Sequence, residues 1–375
     1  MKKLFIIILF FINYCFSGGL ENDYSINNNI GFYLKINSND NILLSIDKNF
    51  LLHDNEPKLI DCDIRQFIPE FDPFKYEKTN SPNKIPTSLL FNDDPMSLNL
   101  SSWDKVDKTK FWIITASLVG LGIYAHDMQM KSWWSHDRGA FNVKEDWDYA
   151  CQLDKIGHGY AAMVISRTIT EAYTYSGVER GTSLLIGTLC GLSWQTYLEI
   201  MDGFGLTWGF SPSDFISDVI GATYPVAQEY FKPLRNFNFK FSYYPTPFLT
   251  TGVEQHGTLV KKANFTEDYA GQVYWLSVNI HEYLPKKMQQ YWPDWLTIAV
   301  GYSLFNWDGE LETLGYRVTD RELWLSFDYN LEKLPGDTKF INFLKKFFNQ
   351  FHLPAPAVRL TPSVIWYGLF YAHIV

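Results

Sequence analysis

Six titratable side chains fall in pairs at helical spacing between residues 146 and 230. Asp154 and His158 are four apart, Glu199 and Asp202 three apart, Asp214 and Asp218 four apart. Side chains three or four residues apart share a helix face. Packed together, three such faces would set one imidazole and several carboxylates around a point, as a metal site or an acid/base site in a bundle core requires. On this reading His158 is a ligand or general base. Glu199, Asp202 and Asp214 are ligands or acid/base partners, Asp154 is a further catalytic candidate and Asp218 a further candidate ligand, with Trp208 lining the site. A divalent metal suits such a set, although nothing in the sequence requires a cofactor.

Each pair also has a plain structural explanation. Asp154 can cap its helix, leaving His158 to bond the next loop. Asp214 falls at the capping-box position after Ser211. Glu199 and Asp202 precede Gly203, where a helix end can meet solvent. A shared site is favoured by the coincidence of pairs in three successive apolar helices, since buried carboxylates cost several kcal/mol unless paired or metal-bound. The chain carries no nucleophile elbow, phosphate-binding glycine loop or zinc-protease motif. His136 and Asp137, beside Trp133 and Trp134, read as an interfacial loop.

The elements that must position these residues are helices. Phe111 to His126 is apolar nearly all round, preceded by Lys105, Lys108 and Lys110, and has Trp112 and Tyr124 near its ends. A core helix and a membrane helix both fit it, although 16 residues are short for a span. Helices are expected from about Asp154 to Tyr175 and from about Thr182 to Met201, the second with Gly187, Gly191 and Ser193 for close contact. Ser211-Pro212-Ser213-Asp214 starts a third, which Pro225 should kink before it ends near Tyr230.

From about Arg235 the period changes to two. Phe237, Phe239, Phe241 and Tyr243 alternate with polar residues. So do Tyr274 to Ile280, Leu296 to Tyr302 and Leu323 to Leu331, while Val364 to Ile374 is aromatic on both faces. Turn signals such as Asp308-Gly309 and Pro335-Gly336 separate these strands. They fit a transmembrane barrel wall or a soluble sandwich, and with five clear strands a closed barrel would need others from the N-terminal arm. Lys339 to Phe351 reads as an amphipathic helix for a membrane surface or a sheet.

The N-terminus reads as export. Lys2 and Lys3 precede an apolar run from Leu4 to Tyr14 and then Ser17, Gly18 and Gly19, so residues 1–19 are expected to be a signal peptide, with an uncleaved anchor as the alternative. Tyr14 stands where a lipobox needs a small residue, so lipid attachment at Cys15 is not expected. Residues 20–106, rich in Asn, Asp, Ser and Pro, read as a loosely folded arm with short strands. Cys62, Cys151 and Cys190 suit one bridge or none. A formal net charge of −9 argues against a nucleic-acid partner. Charged residues at 19% and aromatics at 17% suit a surface in contact with lipid or a partner.

The segments DWDYACQLDKIGHGYAA and LEIMDGFGLTWGFSPSDFISDVIGATYPVAQEY resemble the YfiM-like family of predicted periplasmic lipoproteins, which has no established activity. Asp154, Lys155 and His158 carry its first motif, Glu199, Asp202 and Gly203 its second. Trp208, Gly209, Ser211 and Asp214 carry its third, with Gly221 following. A looser similarity runs to VanZ-like membrane proteins. The family usually has Asn where this chain has Asp218, and its lipobox is missing here.

Together these features predict an α+β protein. A helical module of about four apolar helices over 107–234 precedes an antiparallel, aromatic-rich β domain over 235–375, a partial barrel or a sandwich. The expected function is that of a membrane-associated bacterial cell-envelope protein of the periplasm or outer membrane. It would have a structural or binding role toward membrane lipid or envelope proteins. The strands favour the outer membrane, while the helices at Phe111 and Leu184 leave the inner membrane open. The alternative is a metal-dependent or acid/base enzyme acting on a lipid-linked or phosphorylated envelope substrate. Oligomeric state is not legible.

Overall fold

Hydrophobic periodicity and caps set the helices. The structure, a computed structural model, describes residues 32–36, 42–46, 103–134, 138–255, 258–262, 264–305, 307 and 320–368. The expected signal peptide, most of the arm, Cys15, Cys62, His136, Asp137, the Asp308-Gly309 turn and the end of the last strand lie outside them. Two short strands of the arm, β1 (Phe32–Ile36) and β2 (Ile42–Ile46), pair antiparallel with Phe32 opposite Ile46, in a unit of their own.

Helix α1 (Lys108–Lys131) is longer than its apolar stretch implies. Asp107 caps it by accepting the Lys110 N–H at 3.1 Å, and an Asp127–Lys131 ion pair at 2.7 Å extends its last turn. Its 24 residues rise about 36 Å, long and apolar enough to cross a membrane. Only Phe111, Thr115 and Gln129 are buried, while Ile113, Leu121, Ile123 and Tyr124 are exposed.

Helices α2 (Leu153–Tyr175), α3 (Arg180–Asp202) and α4 (Pro212–Tyr230) pack against one another and lie within two residues of their expected bounds. Glycines let their backbones meet. A Cβ on Gly187 would stand 2.3 Å from the Ser166 carbonyl oxygen, and one on Gly221 only 1.9 Å from that of Gly159. Helix α4 starts as its sequence predicts, with Ser211 Oγ accepting the Asp214 N–H at 3.3 Å and Pro212 in the first turn. Pro225 lies within it, and the helix runs on to Tyr230.

The β domain is an antiparallel sheet in the order β10-β9-β8-β7-β6-β3, from β3 (Phe237–Tyr243), β6 (Gln272–Val278), β7 (Leu296–Phe305), β8 (Asp320–Tyr329), β9 (Ala357–Arg359) and β10 (Ile365–Tyr367). Two three-residue strands, β4 (Val253–Gln255) and β5 (Thr258–Val260), form a separate hairpin. The barrel alternative is realised without strands from the arm. Residues 350–352 bond the free edge of β3, with the Phe241 N–H donating to Gln350 O at 3.1 Å and the His352 N–H to Phe241 O at 2.9 Å. The same stretch then reaches β8, where the Phe327 N–H donates to Pro356 O and β9 follows. These bonds close β3, β6, β7 and β8 into a ring.

The ring is polar inside. Lys240 pairs with Asp328 at 2.8 Å and Arg359 with Glu322 at 2.6 Å, all four buried. Trp275 stacks on His352 with ring centroids 4.0 Å apart, and Trp324 donates to Ser303 Oγ at 2.9 Å. The outward residues Phe239, Val300, Leu323, Leu325 and Phe327 are exposed and apolar. Helix α5 (Lys339–Phe348), expected on a membrane or a sheet, packs against α2 and leaves Phe340, Ile341 and Phe348 exposed. Phe340 and Phe343 lie against Tyr175, and Lys346 pairs with Glu171 at 2.9 Å.

Because no atom of Gly159 can yield 1.9 Å without moving backbone, Gly221→Ala will push α4 off α2. The expected loss is about 1–3 kcal/mol, the range for overpacking, read as a lowered melting temperature of the detergent-purified chain.

Candidate functional site

The chain enters α2 through a backbone that most residues avoid. Ala150, Cys151 and Gln152 have φ of 48°, 49° and 67°, a left-handed conformation that costs roughly 1–2 kcal/mol per residue without glycine. The barrel helps hold it in place. Tyr302 of β7 donates to Cys151 O at 2.7 Å, and Ala150 and Leu153 are buried with Leu304 and Trp307. This turn delivers Asp146, Asp154 and Lys155 to the start of α4.

Lys155 Nζ lies 2.5 Å from Asp146 Oδ1, 3.0 Å from Asp154 Oδ2 and 2.9 Å from Asp214 Oδ1. Its side chain is 4% exposed, so the ammonium takes its whole solvation from these carboxylates. Tyr269, beside the start of β6, donates to Asp154 Oδ1 at 2.5 Å. Ser211 Oγ donates to Asp146 at 2.6 Å. Burial disfavours the Lys155 charge, but Asp154 and Asp214 outweigh it and raise its pKa. Asp154 is lowered despite burial, by His158, Lys155 and the Tyr269 hydroxyl.

One turn further along α2, His158 Nδ1 lies 3.3 Å from Asp218 Oδ1 and 3.6 Å from Glu199 Oε1. Gln195, one turn before Glu199 on α3, donates to Asp218 Oδ1 at 2.9 Å, and the Ser211 N–H donates to Glu199 Oε2 at 2.9 Å. Burial opposes a charge on His158, yet the Asp218 hydrogen bond and the charges of Asp154, Asp214 and Asp218 raise its pKa well above 6.5. Burial pushes Glu199 up to about 8, and Asp202 and Asp214 to about 6.

The three predicted pairs therefore converge, in two adjoining groups. Asp154, His158 and Asp214 offer ligand atoms within 4.8 Å of one another, and so do His158, Glu199 and Asp218. Lys155 already supplies the cation of the first group. Asp202 is turned aside, accepting the Trp134 Nε1–H at 2.6 Å. Trp208 is exposed, edge-on to Tyr149 with centroids 6.2 Å apart. Cys151 and Cys190 are thiols rather than a bridge. Sequence reasoning missed Asp146, Gln195, Trp134 and Tyr269. Gln195 was within reach, since 195, 199 and 202 form one helix stripe, whereas Tyr269 lies 115 residues from its partner.

Two outcomes follow from this geometry. Lys155→Met leaves Asp154 and Asp214 buried without their cation, and should cost about 3–5 kcal/mol of unfolding free energy by denaturant titration. The raised Asp202 carboxyl sets a pH window. Its native pKa of about 6 exceeds the 3.8 of a free aspartate, so this stability is full below pH 4 and is lost as pH rises through 6. Asp202→Asn, which keeps an acceptor for Trp134, should melt higher than the parent at pH 8, with the gain vanishing between pH 6 and pH 4.

The chain has no match among curated proteins and none among solved structures. Residues 137–229 hold the whole cluster except Trp134 and Tyr269. They match the model of a family described as predicted periplasmic lipoprotein (DUF2279), which supports a periplasmic, cell-envelope protein but does not extend to the YfiM-like name or to VanZ-like proteins.

Proposed function

We propose that this envelope protein is seated in a lipid surface by its barrel wall and α1, and serves there in a structural or binding role. The observation that carries the reading is the inverted polarity of the sheet. A sheet facing water on one side turns its polar residues outward. Here Val300 and Leu325 sit opposite each other on the outer face, flanked by Leu323 and Phe327, all exposed. The charged residues Lys240, Glu322, Asp328 and Arg359 point inward. Apolar-out and polar-in is the alternation of a wall in contact with lipid, and contiguous exposed apolar surface of this kind marks a contact site. Helix α1 adds an exposed apolar flank with Lys105 and Lys108 before its body, placed to meet headgroups. Among envelope membranes, the outer membrane is the one that strand walls fit.

The test is flotation of the purified chain with phosphatidylethanolamine–phosphatidylglycerol vesicles after detergent removal. The comparison is the double variant Val300→Lys, Leu325→Glu. That exchange puts opposite charges on a cross-strand pair, which sheets tolerate. The parent should float with vesicles, and the variant should partition at least tenfold less while keeping its circular dichroism. A parent that stays monodisperse and vesicle-free, or a variant that floats equally well, overturns the reading.

A further inference from the structure

We propose that His158, Glu199 and Asp218 form a binding site for a divalent transition-metal cation, Zn2+ by its spacing. The site is independent of the lipid seat.

Charge count is the first argument. The cluster holds five carboxylates, from Asp146, Asp154, Glu199, Asp214 and Asp218, against two basic groups, Lys155 and His158, while Asp202 turns aside to Trp134 within reach of the Arg138 charge. Lys155 engages Asp146, Asp154 and Asp214. Among the described residues no lysine or arginine pairs with Glu199 or Asp218, which are 2% and 0% exposed. Carboxylates withdrawn from water in this way are paired or coordinate metals.

A second, independent observation is an orphaned oxygen. Asp218 Oδ1 accepts from Gln195 and faces His158, but Oδ2 of the same fully buried carboxylate has no hydrogen-bond partner. Leaving such an acceptor unmade costs about 1–3 kcal/mol, and more for a charged group. A cation held by this carboxylate supplies what the fold withholds.

Spacing is the third. His158 Nδ1 stands 3.3 Å and 3.6 Å from the two carboxylates, long for a charged hydrogen bond. Ligand atoms about 2.1 Å from a tetrahedral ion lie roughly 3.4 Å apart, so the distances suit atoms sharing an ion. One imidazole and two carboxylates make a borderline-hard donor set that suits Zn2+. Binding releases to solvent any proton held on His158 Nδ1 and on the Glu199 carboxyl, since both must be deprotonated to ligate. The orienting contacts are present: Gln195 fixes Asp218, and the Ser211 N–H fixes Glu199. Three protein ligands leave a fourth position for water or a bound molecule. His158, with 19% of its side chain exposed, is the side from which that position is reached.

The experiment is calorimetric titration of ZnCl2 into the full chain, purified in mild detergent and stripped with chelator, beside Glu199→Gln, Asp218→Asn and Gln195→Ala. One Zn2+ per chain is expected for the parent and for Glu282→Gln, which removes an exposed carboxylate paired with Lys333 outside the cluster. Glu199→Gln and Asp218→Asn should lose at least 100-fold in affinity, and Gln195→Ala about 10- to 100-fold. Should a variant misfold, Co2+ added to the parent decides alone, since a tetrahedral N/O site gives intense visible absorption and an aquo ion does not. Absent saturable Zn2+ uptake by folded parent, an octahedral Co2+ spectrum, or undiminished binding by Asp218→Asn overturns the proposal.

Discussion

Lys155 is the ion around which the helical core is assembled. Its ammonium is withdrawn from water, so Asp146 from the approach to α2, Asp154 from the first turn of α2 and Asp214 from the first turn of α4 must all stay within reach. None of the three carboxylates can leave without exposing the others to an unbalanced buried charge. The starts of α2 and α4 are thereby pinned side by side. Given that origin, helical geometry carries the two chains onward together: one turn along, His158 faces Asp218, and Gly159 meets Gly221. The strained turn at Ala150 to Gln152 is the local cost of bringing Asp146 back to Lys155, and barrel contacts through Tyr302, Leu304 and Trp307 offset it.

The two readings of Asp214 that the sequence left open are both true at once. Its N–H is capped by Ser211, as the capping pattern implies, and its carboxylate serves Lys155, as the pairing with other helices implies. A capping position puts an acid in the first turn without saying where its side chain goes. Helices and their polar pairs were legible because a 3.6-residue period fixes which side chains share a face. Asp146 was not, because it precedes the helix. Tyr269 was not, because no local pattern links it to Asp154 across the chain.

The barrel was half legible for a similar reason. A period of two shows that a strand has two unlike faces, but not which of them turns inward. For β7 and β8 the apolar face is the outer one, the reverse of a water-facing sheet. Closure was illegible altogether. The stretch that completes the ring, from Gln350 to Arg359, has prolines at 354 and 356 and no alternation. It can serve because it bonds β3 only at its beginning and β8 only toward its end, so neither proline must donate to a ladder.

One polarity runs through both halves. In the helical module the carboxylates and Lys155 are inside while Ile113, Leu121, Ile216 and Ile220 are outside. In the barrel Lys240, Glu322, Asp328 and Arg359 are inside while Val300, Leu325 and Phe327 are outside. In water each side of this arrangement is unfavourable, since ions lose solvation and apolar surface keeps it. Against lipid the apolar exterior carries no penalty, and the interior becomes the place where charges can find partners. A charged fraction of 19% is then what such a surface leaves room for. The halves also touch where this matters. Tyr160 of α2 packs on Phe241 and Tyr274 of the wall, and Tyr269, just before β6, bonds Asp154. The apolar-faced wall is therefore continuous with the polar cluster, with Tyr269 joining the start of β6 to Asp154 and, through it, to Lys155.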